Sequence, residues 1–259
     1  MPTTTVVEHR DTGLLVEAVA ARFLSRLAAA QSGGRIVSVV LTGGSVAARW
    51  YAAVAASPGR DAVDWGRLEV WWGDERFLPD GDPERNATQA HRALLNAVPL
   101  DRSRVHPMPA ADGPAAGDPD AAAGAYARLL LDAAHPEDHG PTPVFDLLLL
   151  GVGPDGHVAS LFPGHPALYD DRTVTAVRGA PKPPLTRITL TFSALARSRE
   201  TWFVVAGRDK APAVRLALSG AGRMQVPAAG VTGRERTLWL LDREAAAQLP
   251  SGLSRPASP

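Results

Sequence analysis

The residue types able to do chemistry in this chain sit where apolar runs end. His157 closes the segment Gly151-Val152-Gly153-Pro154-Asp155-Gly156-His157, directly after the strongest apolar run, Val144–Leu150. A free imidazole titrates near ~6.5, so its neutral form is available at neutral pH as a general base. Asp155, two residues earlier, can orient the ring, bind substrate or cap a turn. Thr42-Gly43-Gly44-Ser45 follows the run Ile36–Leu41. Its two glycines let backbone N–H groups approach an anion, and a helix starting there points its positive end at that anion. Ser45 adds a hydroxyl donor. The same four residues also suit a tight strand-to-helix turn with Ser45 as N-cap.

Lysine is scarce. Of 27 basic residues, only Lys182 and Lys210 are lysines. Lys210 lies near the start of a helical stretch, where a cation opposes the helix dipole unless an anion is bound. An ammonium point charge suits a phosphate contact. Lys182 sits in Ala180-Pro181-Lys182-Pro183-Pro184, a stiff connector before Arg187. Asp74 and Glu75 form an adjacent acidic pair, with Glu75 equally suited to pairing with an arginine.

Other chemistries lack their residues. Cysteine is absent, which removes disulfides, thiolate nucleophiles and cysteine-ligated metals. No His-Glu-x-x-His pattern offers a zinc site, and Ser45 and Ser160 lack the nucleophile elbow of hydrolases. The glycine loop has no lysine at P-loop spacing. Gly151–Gly156 formally matches G-x-G-x-x-G, but no acidic residue follows at the end of the next strand, and Pro154 fits that turn poorly.

These segments need a scaffold of alternating elements. Thr4–Val7 is β-prone. Asp11 can cap a helix to about Ala30, with Leu15, Val19, Phe23 and Leu27 as its apolar stripe. Ile36–Leu41 reads as a buried strand, with a helix following through Ala56. Leu68–Trp72 reads as a strand ending in Gly73-Asp74-Glu75-Arg76. Asn86 is a candidate N-cap, with Gln89 three residues on, for a helix to about Val98. Residues 109–125 form a low-complexity loop with a helix emerging near Asp120. His157 precedes a helical turn over Val158–Phe162. Strand-like runs recur at Thr173–Val177, Ile188–Thr191, Trp202–Ala206 and Leu238–Leu241, and a helix covers Lys210–Leu218. The alternation predicts a mainly parallel sheet covered on both faces. Ligands of such sheets bind at the carboxyl ends of the strands. The chain reads as one domain over 1–259, with a disordered tail from about 251.

Composition agrees with a soluble globular protein. The 259 residues are 45% hydrophobic and 21% charged, and 27 acidic residues balance the 27 basic ones. Zero net charge argues against a nucleic-acid partner. No apolar stretch approaches the length of a membrane span, and the N-terminus lacks a secretory pattern, so the expected location is cytoplasmic.

Five segments occur in order: LTGGS, WWGDERFLP, FDLLLLGVGPDGHVASLFPG, PKPPLTRITLT and VVAGRDKA. Together they resemble the 6-phosphogluconolactonases, lactone hydrolases of the oxidative pentose phosphate pathway, within the glucosamine-6-phosphate isomerase/6-phosphogluconolactonase family. The deaminases of that family continue the Asp-Gly-His segment with Phe-Asn-Glu. Here Ser160-Leu161-Phe162-Pro163-Gly164 follows, as in the lactonases. The resemblance implies a Rossmann-like three-layer α/β sandwich with no cofactor and no metal. It implies a sugar-phosphate lactone as substrate and a monomer or small homo-oligomer. It assigns His157 as general base and Gly43, Gly44, Ser45, Arg187 and Lys210 to the phosphate, with Thr42 beside them. Asp74, Arg76, Asn86, Asp155 and Lys182 would line the sugar-lactone pocket, with Arg76 or Lys182 as a cation, or backbone N–H groups, for the oxyanion. Arg85 departs from the small polar residue of many relatives and bears on the pocket rim. A same-fold isomerase or deaminase using Asp74 as base, or a sugar-phosphate sensor without turnover, are the competing readings.

Overall fold

A computed structural model of the chain describes residues 3–115, 117–253 and 255–257. The elements run β1 (Thr3–His9), α1 (Thr12–Gln31), β2 (Val37–Leu41), α2 (Ser45–Ala56), β3 (Leu68–Trp72), β4 (Asp74–Arg76), α3 (Asn86–Ala93), α4 (Pro119–Ala133) and β5 (Phe145–Leu150). They continue with β6 (Val174–Val177), β7 (Arg187–Leu190), α5 (Phe192–Leu195), β8 (Ser198–Val205), α6 (Ala211–Leu218), β9 (Arg236–Asp242), α7 (Arg243–Ala246) and β10 (Arg255–Pro256).

Seven strands form one parallel sheet in the order β10-β1-β9-β8-β5-β2-β3. Every residue of β2 and β5 is buried, which requires cover on both faces and explains why each is apolar but for one residue, Ser38 and Asp146. Helix α1 turns Leu15, Val19, Phe23 and Leu27 inward, as the spacing of four predicts. Its N-cap is Asp11, whose carboxylate accepts from Leu14 N at 2.9 Å. Phe23 meets Trp50 of α2 with ring centroids 5.3 Å apart. Each large apolar side chain so removed from water contributes roughly 1.5–3 kcal/mol.

The strand order places a switch point between β2 and β5. From β2 the chain moves to β3 on one side, and from β5 it moves to β8 on the other. Loops leaving the carboxyl ends of two such strands diverge and leave a crevice between them. The Thr42–Ser45 and Gly151–His157 segments are those two loops.

Several local expectations are corrected. Asp74–Arg76, expected as the polar end of the Leu68–Trp72 strand, is a strand of its own. It belongs to a separate antiparallel sheet, β4-β7-β6, that the sequence pattern did not reveal. Strands of three and four residues are too short to display a period. Ser45 is the first helical residue of α2 and Gly44 the N-cap, without a side-chain cap. Asn86 likewise lies inside α3, with Arg85 as N-cap. The helix ends at Ala93, short of Val98. No helix follows His157: Val158–Leu161 is a tight turn with Ala159 at φ 49°. Lys210 ends a short 3₁₀ turn, and α6 begins at Ala211. The tail, expected to lack order, contributes β10 beside β1. Its residues Ser254, Ser258 and Pro259, and Ala116 in the low-complexity loop, lie outside the described residues. Among the described residues no helix is long and apolar enough to cross a membrane.

Candidate active site

A cleft of about 290 Å³ opens over the switch point. It is walled by the ends of β2, β3, β5 and β8 and by the loop before β7. Thr42, Gly43, Gly44, Ser45, Asp74, Arg76, Asn86, His157, Lys182, Arg187 and Lys210 all line it. Asp155, expected on the pocket wall, instead stands behind His157.

The Asp155 carboxylate lies 2.5 Å from His157 Nδ1 and also accepts from His157 N at 3.3 Å. Partial burial raises the Asp155 carboxyl, but the hydrogen bond and charge attraction from His157 outweigh it and bring it down to about 2. An ionised Asp155 can only accept, so Nδ1 carries the hydrogen. Nε2 makes no hydrogen bond among the described residues, and in the neutral ring it is the nitrogen with the lone pair. The ring packs on Phe162, centroids 4.6 Å apart. Gly153 makes this placement possible. A Cβ there would lie 2.0 Å from His157 Nδ1 and 2.5 Å from Asp155 Oδ1. The middle glycine of the apparent dinucleotide fingerprint is thus needed for close packing of an imidazole. Sequence reasoning missed Gly153 as a site residue, because a Gly-rich turn does not say which side chain packs against it.

The glycine loop is held from below. Tyr51 OH donates to Thr42 O at 2.6 Å and accepts from Thr42 N at 3.2 Å. Gly44 sits at φ 100°, a conformation open to glycine, and hands over directly to the N-terminus of α2. Gly43 has a second need: its missing Cβ would fall 1.8 Å from Asn86 Oδ1.

Asn86 and Asp74 form the cleft floor. Asn86 Nδ2 donates to Asp74 O at 2.9 Å and to Asp74 Oδ1 at 3.2 Å. Asn86 Oδ1 is buried with no partner. Ser160, fully buried, donates to Asp74 Oδ2 at 2.6 Å. Glu75 faces away from the cleft and accepts from the N–H groups of Arg76, Asn86 and Ala87 at 2.6–2.8 Å. It thereby caps α3 with charge. Burial pushes its carboxyl up, opposed by Arg85 and these N–H groups. Arg85, expected to bear on the pocket rim, is buried beneath it. Its guanidinium donates to Leu78 O and Met108 O and stands 3.9 Å from Glu75. Its sequence position next to Asn86 on the rim gave no sign that its side chain turns inward.

Four cations line the cleft. Arg76 and Arg187 are directly paired across β4 and β7, an arrangement of like charges that costs energy unless an anion lies between them. Arg187 Nε donates to Pro184 O at 3.1 Å, and Nη2 donates to Lys182 O at 3.1 Å. Arg187 therefore shapes the Lys182 loop as well as adding charge. Burial lowers its guanidinium, with Asp74 opposing. Arg76 Nη1 donates to Glu84 O. Lys210 Nζ pairs with Asp209 at 2.5 Å, which holds the Asp209 carboxyl below the ordinary range.

The arrangement offers a histidine base, a helix-backed glycine loop and a cationic wall in one crevice. Known proteins are similar to this chain over nearly its whole length. The 6-phosphogluconolactonase of Streptomyces coelicolor is 59% identical over 254 residues, covering 98% of this chain and 97% of that one. The 6-phosphogluconolactonase of Mycobacterium tuberculosis is 48% identical over 244 residues, covering 93% and 96%. The solved 6-phosphogluconolactonase structure from Trypanosoma brucei superimposes with a TM-score of 0.82 at 26% identity, covering 96% of this chain and 100% of that one. The sequence model described as glucosamine-6-phosphate isomerases/6-phosphogluconolactonase matches residues 10–239, a span that holds every residue lining the cleft, and the chain belongs to that family.

Proposed function

We propose that this chain hydrolyses 6-phospho-D-glucono-1,5-lactone to 6-phosphogluconate, a step of the oxidative pentose phosphate pathway, with a water activated by His157. The single observation that carries the mechanism is the His157 ring. Its Nδ1 is held by ionised Asp155, and its unbonded Nε2 belongs to a residue lining the cationic cleft.

The substrate phosphate is held by the backbone of Gly43, Gly44 and Ser45 at the N-terminus of α2, with Thr42 supporting the loop. Lys210 and Arg187 supply charge. Arg76, Lys182, Asp74 and Asn86 surround the sugar lactone. Binding at the remote phosphate fixes C1 beside the water. Nε2 takes a proton as the water oxygen bonds to C1, and the carbonyl becomes an oxyanion stabilised by Arg76 or Lys182. The bond from C1 to the ring oxygen then breaks, and the imidazolium returns the proton to that oxygen. The acid product ionises. A δ-lactone already hydrolyses in water, so one well-placed base and a binding site suffice. All these groups come from one chain, which suits a monomer or small homo-oligomer, and the proposed compartment is the cytoplasm.

The test couples lactone hydrolysis to 6-phosphogluconate dehydrogenase, with the spontaneous rate subtracted. His157→Ala is expected to lower kcat by about 10²–10⁴-fold while 6-phosphogluconate still binds. Full turnover in that variant removes His157 as base. Ammonia release from glucosamine 6-phosphate by the wild type, or binding without any turnover, overturns the lactonase reading itself.

A further inference from the structure

Ser160 has no part in the mechanism above, yet it is tied to both members of a pair at the cleft. Asp74 and Thr189 face each other across β4 and β7. Ser160 Oγ donates to Asp74 Oδ2 at 2.6 Å, and Ser160 N donates to Thr189 Oγ1 at 3.2 Å. Ser160 reaches them because Ala159 turns left-handed, at φ 49°, two residues after His157. An alanine in that region is strained, so the surrounding structure must impose it. The same turn therefore carries the proposed base and clips its loop to the second sheet. A second observation lies beside it: Asn86 Oδ1 is buried, lacks a partner and belongs to a residue lining the cleft. Unpaired buried acceptors are costly and call for a donor.

We propose that Ser160 is a positioning residue that holds Asp74 with Asn86 Oδ1 as a pair of acceptors for hydroxyl groups of the lactone ring. This deepens the lactonase reading and rests on it. The Ser160 and Asn86 donors fix the Asp74 carboxylate in one rotamer, so its remaining lone pairs point in set directions. The site then selects a polyhydroxylated ring over one lacking a hydroxyl. When a bound substrate lacks that hydroxyl, Asn86 Oδ1 stays buried without a donor or Asp74 keeps an unused lone pair, a penalty the enzyme sees as lost kcat/KM. The arrangement also gives Asp74 a task other than proton abstraction, since one of its oxygens is already committed to Ser160.

The experiment compares the parent lactone with its 2-, 3- and 4-deoxy 6-phospho analogues, using wild type and Ser160→Ala. Folding is checked by circular dichroism and melting. Wild type is expected to prefer the parent over at least one analogue by about tenfold or more in kcat/KM. In Ser160→Ala that preference shrinks several-fold, KM for the parent rises about tenfold, and kcat changes less. Ser160→Cys, similar in size with a weaker donor, falls between the two. Equal losses on all four lactones, or unchanged KM and preference, overturn the proposal, because a purely structural serine would not read individual hydroxyls. If Ser160→Ala does not fold, the wild-type preference decides: no discrimination among the four lactones sinks it. Failure of wild type to accelerate the parent lactone would instead refute the underlying reading.

Discussion

At the scale of single residues, the site depends on which atom holds which proton. Asp155 titrates at about 2, against ~3.9 for a free aspartate. Its folded value is depressed, so its contribution to stability is present above the ordinary value and lost as pH falls through about 2. Protonation of Asp155 therefore has no part in activity changes near neutrality. In Asp155→Asn the amide can present an N–H to Nδ1, which moves the imidazole hydrogen to Nε2 and removes the base. That variant is expected to lose about 100-fold or more in kcat with KM little changed. Its stability deficit against wild type, read from urea midpoints, should shrink as pH falls below about pH 4, where Asp155 becomes protonated in the unfolded chain. A deficit that persists undiminished below that pH would show that His157 does not hold the carboxylate. His157 and Asp155 were legible from sequence by type and spacing. Gly153 was not, because the 2.0 Å approach of the imidazole exists only in the folded turn.

Among the elements, α3 shows how a charge buried away from the cleft serves it. Glu75 receives the first N–H groups of α3 and faces Arg85 within the core. Cutting Glu75 back to alanine uncaps the helix and leaves a guanidinium buried without its partner. The expected loss is about 3–5 kcal/mol in chemical denaturation, and a loss below about 1 kcal/mol contradicts the buried pairing. The long elements were legible because burial imposes a pattern: α1 follows its apolar stripe, and β2, β3 and β5 follow their mostly apolar runs. The short ones were not. Strand β4 spans three residues, and Asn86 was read as a cap because its type favours that position. In the fold its amide turns to Asp74, while the carboxylate of Glu75 does the capping.

For the whole molecule, zero net charge conceals a local field. Arg76, Lys182, Arg187 and Lys210, far apart in sequence, line one cleft. A phosphorylated acid that binds there and not to the unfolded chain should raise the melting temperature. At 100 times its dissociation constant, 6-phosphogluconate should add about 2.7 kcal/mol. Lys210→Ala is expected to need a several-fold higher concentration for the same shift and to raise KM, because one cationic contact is lost. A melting curve whose ligand dependence matches wild type removes Lys210 from the phosphate site.

The sequence by itself determined the alternation of strands and helices, the parallel sheet, and the identity of the loops that carry chemistry. Those features are local: a period of burial, a pair of glycines, a histidine after an apolar run. The tertiary structure decided which loops meet. Strand order alone set the switch point between β2 and β5, and the small antiparallel sheet alone brought Arg187 opposite Arg76. It also decided direction. Arg85 turns into the core and Ser160 turns under Asp74, because buried charges must find partners and those partners lie far away in sequence.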